Sequence, residues 1–93
     1  MQRYYVYILA NGSNLFYVGI TSDIQKRQFQ HKTGYFKGFT SKYNVNRLLH
    51  FEVFDDVNKA IEREKQLKGW SHNKKLKLIQ RKNPFLLEKE FLL

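Results

Sequence analysis

Five side chains spread along the sequence have the types needed for proton transfer, charge stabilisation and metal binding. They are Tyr7, Tyr17, Arg27, His31 and Glu64. Phenol and imidazole groups donate and accept protons, guanidinium stabilises negative charge, and a carboxylate can hold a divalent cation. They form a site only if the secondary-structure elements that carry them bring them together.

The two tyrosines lie in a predicted β-hairpin. Segments 4–9 and 15–20 are mainly aromatic and aliphatic, and the Asn-Gly pair at 11–12 between them is a strong turn signal. A register centred near this pair places Tyr7 opposite Tyr17 on one face of the hairpin. Strand tyrosines often pack in a core with their hydroxyls reaching water, so the pair alone does not indicate a site.

Arg27 and His31 lie on a predicted helix over 24–31, which the polar residues at 21–23 can cap. Together with Ile24 they have the spacing i, i+3, i+7 and form one stripe. The polar side chains of Arg27 and His31 therefore point to the same side as Ile24, which we expect to be buried. The alternative is an arginine whose stem packs while its head reaches water.

Glu64 falls on a predicted helix over 57–68 that ends at Gly69. At about 100° per residue it lies near the middle of the apolar face, whereas Glu62 points away. A carboxylate buried there must be paired or bind a metal, because isolated burial costs several kcal/mol. An ion pair with Arg27 or a neighbouring lysine is the structural alternative. The face is defined by Val57, Ala60, Ile61 and Leu67.

The rest of the pattern predicts a loop over 32–46, a strand over 48–54 and a helix from 72 to about 81 that Asn83-Pro84 terminates. The predicted order is β-β-α-β-α-α. A chain of 93 residues with 42% hydrophobic residues fits one domain. It contains no cysteine, which excludes disulfides and thiolate zinc sites.

The net charge of +9 indicates a polyanionic partner, and nucleic acid is the leading candidate. A basic surface that only increases solubility is the simpler alternative. An anionic membrane is a weaker candidate, because the basic stretches do not follow a long apolar helical face. No apolar run approaches the roughly 20 residues of a membrane span, and we expect a cytoplasmic protein without membrane association.

Several of these segments together resemble the GIY-YIG nuclease superfamily, in particular its small stand-alone single-domain members (UPF0213-like). The resemblance covers roughly residues 4–84. Tyr5 and Val6 stand where the first motif has glycine and isoleucine. The matching residues are Val6-Tyr7-Ile8-Leu9, Tyr17-Val18-Gly19-Ile20-Thr21, Arg27, His31, Ala60, Arg63-Glu64 and Asn83-Pro84.

The resemblance implies an α+β fold (an α/β sandwich), with a small three-stranded antiparallel sheet flanked by helices. Residues 1–84 would form the GIY-YIG nuclease-like domain. Residues 85–93 would be a C-terminal apolar tail, either part of the same domain or a self-association segment. We expect a monomer or a weak homodimer.

The resemblance also implies metal-dependent endonuclease hydrolysis of DNA phosphodiester bonds, on single-stranded or structured (branched) DNA, in repair or DNA processing. Tyr7 or Tyr17 would be the general base, and Arg27 would bind phosphate oxygens. His31 would orient a tyrosine or relay its proton. Glu64 would hold one Mg²⁺ or Mn²⁺ ion. The sixth catalytic residue, Asn83, would help to hold the shape of the site.

Substrate contacts are expected from a glycine that leaves room for a ligand backbone and from lysines and tyrosines suited to phosphate attraction and base stacking. One alternative is a nucleic-acid-binding module with the nuclease fold and little or no turnover. Another is a protein-interaction adaptor that self-associates through the tail. The predicted contact residues are Gly19, Lys32, Tyr35, Lys37, Lys42, Tyr43, Lys68, Lys74 and Lys75.

Overall fold

The computed structural model describes residues 2–34 and 38–89. Its sheet has the order β2-β1-β3, and β1 pairs antiparallel with both neighbours. The predicted α+β fold with a three-stranded antiparallel sheet is confirmed. The elements are β1 (Tyr4–Ala10), β2 (Phe16–Thr21), α1 (Ile24–Lys32), α2 (Phe39–Lys42), β3 (Arg47–Phe54), α3 (Val57–Lys68) and α4 (His72–Gln80).

The short helix α2 corrects the expectation that 32–46 contains no regular element. Four residues make little more than one turn, so such a helix has no apolar periodicity that a sequence could display. Gly38 precedes it at φ 107°, a conformation that glycine adopts readily. Thr40 is the buried residue of this turn.

The hairpin register differs from the predicted one by two residues. Tyr7 lies opposite Gly19, and Tyr17 lies opposite Leu9. A shift of two keeps every side chain on its predicted face, because the strand period is two. Tyr7 and Tyr17 therefore still share a face, as predicted, although they are not direct partners.

The cause of the shift is a turn longer than the two-residue Asn-Gly type. The side-chain oxygen of Asn11 accepts hydrogen bonds from the backbone N–H groups of Ser13 and Leu15, both at 2.9 Å. The left-handed residue is Asn14, with φ 57°, rather than Gly12. The turn is therefore centred on residue 13 and not near residue 12.

The sheet has a core on each face. Leu48 and Leu49 are neighbours but belong to opposite cores, because successive side chains of a strand point to opposite faces of the sheet. The first core lies against α3 and α4 and contains Val6, Ile8, Ala10, Val18, Leu49, Ala60, Leu67, Leu78 and Ile79. The second, on the side of α1, contains Tyr7, Leu9, Ile24, Val45 and Leu48.

The bounds of the predicted helices follow from their caps. The side chains of Asp23, Asp56 and Ser71 accept backbone hydrogen bonds at the starts of α1, α3 and α4. The apolar face predicted for the second helix needs correction, however. Val57 and Ile61 are 40% and 37% exposed.

Instead, the stripe of α3 that is turned towards the protein runs through Ala60, Arg63, Glu64 and Leu67. Ala60 and Leu67 are buried at its two ends, and the charged pair between them is partly buried. This stripe has the spacing i, i+3, i+4, i+7 of a helix face. The carboxylate of Glu64 therefore lies on the packed side of α3, as the sequence indicated.

After α4, residues 83–89 return to β3. The side-chain oxygen of Asn83 accepts a hydrogen bond from the N–H of Leu87 at 2.9 Å, and the N–H of Lys89 donates to the carbonyl of Leu48 at 2.7 Å. Residues 90–93 of the predicted tail lie outside the described residues. Within the described part of the chain, no helix is long and apolar enough to cross a membrane.

Candidate active site

The phenol of Tyr7 lies directly over Gly19. A Cβ atom at Gly19 would stand 2.4 Å from both Cζ and the hydroxyl oxygen of Tyr7, so only glycine fits at this position. The expectation that Gly19 leaves room for a ligand backbone is therefore corrected. The two-residue register shift puts Tyr7 opposite Gly19, and the phenol fills that space.

The hydroxyl of Tyr7 meets two side chains of α1. Nε2 of His31 lies 3.2 Å from it, and Arg27 makes a side-chain hydrogen bond with it. Arg27 and His31 are four residues apart, so one helix face presents both. The ring centroid of Tyr17 lies 6.4 Å from that of Tyr7 and 5.6 Å from that of His31. The fold thus brings these four side chains together.

The second ring nitrogen of His31 is held by α2. Nδ1 lies 3.3 Å from Oγ1 of Thr40, and both side chains are buried. Burial first, and then the charge of Arg27, lower the pKa of His31 to about 4. His31 is therefore neutral at pH 7. If Nε2 accepts a hydrogen bond from the phenol O–H, then Nδ1 carries the ring hydrogen and donates it to Oγ1 of Thr40.

Thr40 was not among the site residues predicted from the sequence. It lies in a stretch rich in serine, threonine and asparagine, where no spacing marks one hydroxyl over another. Only the position of α2 against α1 shows its contact with His31.

The pKa of Tyr7 is raised to about 12. Burial is the main cause, and electrostatic interactions with Tyr17 and Glu64 add to it, whereas Arg27 acts in the opposite direction. The phenol is consequently protonated at neutral pH, which fits its role as the donor to His31. Glu64 is the last and smallest of these causes, so its carboxylate on α3 lies within electrostatic range of the Tyr7 hydroxyl.

The side chain of Glu64 is 16% exposed and forms an ion pair with Lys68 of the next turn at 3.1 Å. The structure therefore contains the ion pair with a neighbouring lysine that the sequence analysis gave as the structural alternative for Glu64. Lys68 itself is 54% exposed, and such a surface ion pair is weak enough for a stronger cation to displace it.

Among the described residues, no group of three or more histidine, aspartate or glutamate side chains could cage a metal. A single carboxylate still suits Mg²⁺, which keeps several waters and often binds through one carboxylate and substrate phosphates. The donor set at Glu64 therefore fits one such ion.

Asn83 is buried and engaged with backbone groups. Its Nδ2 donates to the carbonyl oxygens of Leu49 and Leu87, at 3.0 and 2.8 Å. These contacts join the end of the chain to β3. The catalytic role expected for Asn83 remains a prediction, and its hydrogen bonds are those of a structural anchor.

The expected substrate contacts have varied surroundings. Lys32 forms an ion pair with Glu88 of the C-terminal segment. Lys42 lies over the ring of Tyr43 at 5.4 Å, and Lys74 lies over the ring of Trp70 at 4.4 Å. The remaining members are Lys68, already described, the partly buried Lys75, and Tyr35 and Lys37, which lie outside the described residues.

Together, the fold and this cluster define a small α+β domain with a buried polar cluster of tyrosine, arginine and histidine side chains. The family model described as the GIY-YIG catalytic domain matches residues 3–77. The chain belongs to this family of nuclease domains, which confirms the resemblance found in the sequence and implies a nucleic acid substrate.

Relatives of similar length support this assignment. The chain is 35% identical to a UPF0213 protein of Staphylococcus saprophyticus over 79 residues, which cover 85% of this chain and 96% of the relative. It is 36% identical to a UPF0213 protein of Syntrophus aciditrophicus over 85 residues, or 90% and 97% of the two chains. The solution NMR structure of a Bacillus halodurans UPF0213 protein is similar, with TM-score 0.57, 30% identity and coverage of 87% and 86%.

Proposed function

We propose that this protein is an endonuclease that hydrolyses DNA phosphodiester bonds with one bound Mg²⁺ or Mn²⁺ ion. The observation that carries the proposal is the buried hydroxyl of Tyr7, which bonds to Arg27 and His31 while the charge of Glu64 acts on it. Arg27 is suited to bind the non-bridging phosphate oxygens, because its planar fork of donors matches developing negative charge. A divalent cation at Glu64 would neutralise phosphate charge and lower the pKa of a bound water.

The protonation states of Tyr7 and His31 favour a proton relay between them. With a pKa of about 12, Tyr7 can take a proton from the attacking water only as it gives its own proton to Nε2 of His31. Phosphate bound at Arg27 would offset the positive charge that lowers the pKa of His31 and so make His31 a better acceptor. Tyr17 is the other candidate for the base.

The charge of the chain supports a DNA substrate. A net charge of +9 on 93 residues gives sequence-independent attraction to phosphates. Single-stranded or branched DNA is the proposed substrate form, and repair or DNA processing is the proposed role. Lys42 and Tyr43 combine a cation with an exposed ring, which suits unpaired strands.

A binding module with little or no turnover is the second candidate. The Glu64–Lys68 ion pair favours it, because a carboxylate already neutralised by lysine binds a metal less strongly. In that case wild type would bind DNA with little or no cleavage, and Lys68→Ala, which frees the Glu64 carboxylate, should raise Mg²⁺ affinity.

Cleavage assays with Glu64→Gln and Glu62→Gln test the proposal. Both lie on α3, but Glu62 is exposed and serves as the matched control. Single-stranded, duplex and branched DNA are incubated with Mg²⁺, Mn²⁺ or EDTA. We expect metal-dependent cleavage by wild type and Glu62→Gln, and loss of cleavage with retained DNA binding in Glu64→Gln. If wild type cleaves none of these substrates with either metal, the nuclease proposal fails.

A further inference from the structure

Two aromatic rings lie exposed beside the Tyr7–His31 cluster. Phe39 and Tyr43 are 44% and 43% exposed, and their ring centroids are 5.1 Å apart. Phe39 also lies 6.4 Å from the ring of Tyr17 at an interplanar angle of 28°. The rings therefore continue from the buried Tyr7 to the surface in the order Tyr7, Tyr17, Phe39, Tyr43.

Backbone and side-chain contacts hold this aromatic segment in place. The carbonyl of Tyr43 accepts a hydrogen bond from Nδ2 of Asn11 at 3.0 Å. The N–H of Val45 donates to the carbonyl of Thr40 at 2.8 Å, and the Thr40 hydroxyl contacts His31. The rings are thus presented by an anchored turn, so little conformational entropy remains to be lost when a ligand binds.

The chemistry of this surface indicates which class of ligand it can bind. Exposed aromatic faces next to a cation suit a flat π system that carries negative charge, and Lys42 lies 5.4 Å from the centre of the Tyr43 ring. The net charge of +9 favours a polyanionic partner over an apolar peptide or a neutral ring. A nucleobase attached to its phosphate has both properties.

We propose that Phe39 and Tyr43 form a stacking platform for an unpaired nucleobase of the strand whose phosphate is bound at Arg27. This inference rests on the proposed function and deepens it, because it fixes the state of the nucleotide next to the cleaved bond. Bases inside a continuous duplex are stacked on one another and cannot offer a free face. The platform therefore directs the protein to single strands, flaps or bulges.

The predicted effect concerns binding rather than the chemical step. Base–aromatic stacking contributes about 1–3 kcal/mol per base, so loss of one ring should weaken single-strand binding about 5- to 150-fold. Phe39→Leu keeps an apolar side chain but removes the aromatic face, whereas Phe39→Tyr keeps the face. Phe29→Leu is the matched control, because Phe29 is the more exposed ring and lies on α1, outside the ring series.

The experiment is a fluorescence titration of single-stranded oligonucleotides containing 2-aminopurine, performed in EDTA so that cleavage does not contribute. We expect quenching on binding to wild type, Phe39→Tyr and Phe29→Leu, with the loss of affinity and quenching confined to Phe39→Leu. Affinity for an uninterrupted duplex should be equal in all four proteins. Circular dichroism melting verifies that each variant is folded.

The platform is refuted if wild type does not quench the probe, if Phe39→Leu binds like wild type, or if Phe39→Tyr loses as much affinity as Phe39→Leu. An equal loss in Phe29→Leu would also refute it, because the effect would then be nonspecific. Since the titration contains no metal, a failure of the platform is distinguishable from a failure of nuclease activity.

Discussion

The hydroxyl oxygen of Tyr7 lies 3.2 Å from Nε2 of His31, although 24 positions separate the two residues in the chain. Both side chains are buried, and Tyr7 belongs to an apolar core with Leu9, Ile24 and others. A buried polar pair stabilises a fold little compared with apolar side chains of the same shape. The catalytic use proposed for Tyr7 and His31 would explain why this hydrogen bond occupies the core beneath α1.

Tyr7→Phe should abolish most cleavage without unfolding the protein. The ring stays in the core, and only the hydroxyl shared by His31 and Arg27 is lost. Removal of a proton-transfer group lowers rates by about 10²- to 10⁴-fold. Single-turnover cleavage measures the effect, with Tyr4→Phe, on the opposite face of the same strand, as the control. Unchanged cleavage by Tyr7→Phe would exclude Tyr7 from the chemistry.

Thr40→Val should lower the cleavage rate about 10-fold by freeing the His31 ring. Valine has nearly the shape of threonine but cannot accept from Nδ1–H, so the imidazole loses one of the contacts that fix its orientation and tautomer. Thr40→Ser restores the acceptor and should restore the rate, which a purely steric role would not predict. Rates at saturating substrate across pH 6–9 measure both variants, and equal rates in Val and Ser would contradict this role.

Gly19→Ala should both destabilise the protein and reduce cleavage, because the added Cβ would meet Tyr7 at 2.4 Å. Forcing one extra carbon into a packed site costs about 1–3 kcal/mol, and Tyr7 must shift to relieve it, which disturbs its hydrogen bond with His31. Gly12→Ala is the control, since no atom lies within 4 Å of its added Cβ. Urea unfolding and cleavage are measured on both. Wild-type stability in Gly19→Ala would contradict the packing described for Tyr7.

Local sequence signals predicted much of the fold. The helices that Asp23, Asp56 and Ser71 cap begin at residues 24, 57 and 72 as predicted, because capping requires only the cap residue and the next few backbone groups. The hairpin register could not be predicted in the same way. It depends on two hydrogen bonds accepted by the Asn11 side chain, which compete with the shorter turn that Asn-Gly favours.

For the candidate site, periodicity predicted which faces carry Tyr7, Tyr17, Arg27 and His31, and the fold brings these groups together. Thr40 could not be found, because its contact depends on how a one-turn helix packs against α1. The raised pKa of Tyr7 could not be predicted from the sequence either, because its main cause is burial in the folded protein.

The Glu52 carboxylate forms a second polar cluster, on the α3 side of the sheet. Nε and Nη2 of Arg63 donate to its two oxygens at 2.7 and 3.1 Å, and Nε2 of His50 lies 2.8 Å from one of them. Burial alone would raise the pKa of Glu52, but the hydrogen bonds and charges of His50 and Arg63 outweigh it and lower the pKa to about 2.

Acid should therefore destabilise the protein through Glu52 between about pH 4.5 and pH 2. The folded-state pKa lies below the ordinary 4.5, so this stabilisation is complete above pH 4.5 and is lost as pH falls towards 2. It amounts to something on the order of 2 kcal/mol after allowance for partial exposure. His31 has a pKa of about 4 instead of 6.5, so its contribution to stability is lost mainly as pH falls from 6.5 to 4. Below pH 4 the slope therefore reports on Glu52 and not on His31.

Urea unfolding of wild type, Glu52→Gln and the exposed control Glu62→Gln at pH 7, 4 and 3 tests this. Glu52→Gln should be less stable at pH 7 and approach wild type at pH 3, and a constant difference across this range would show that the carboxylate charge is not responsible.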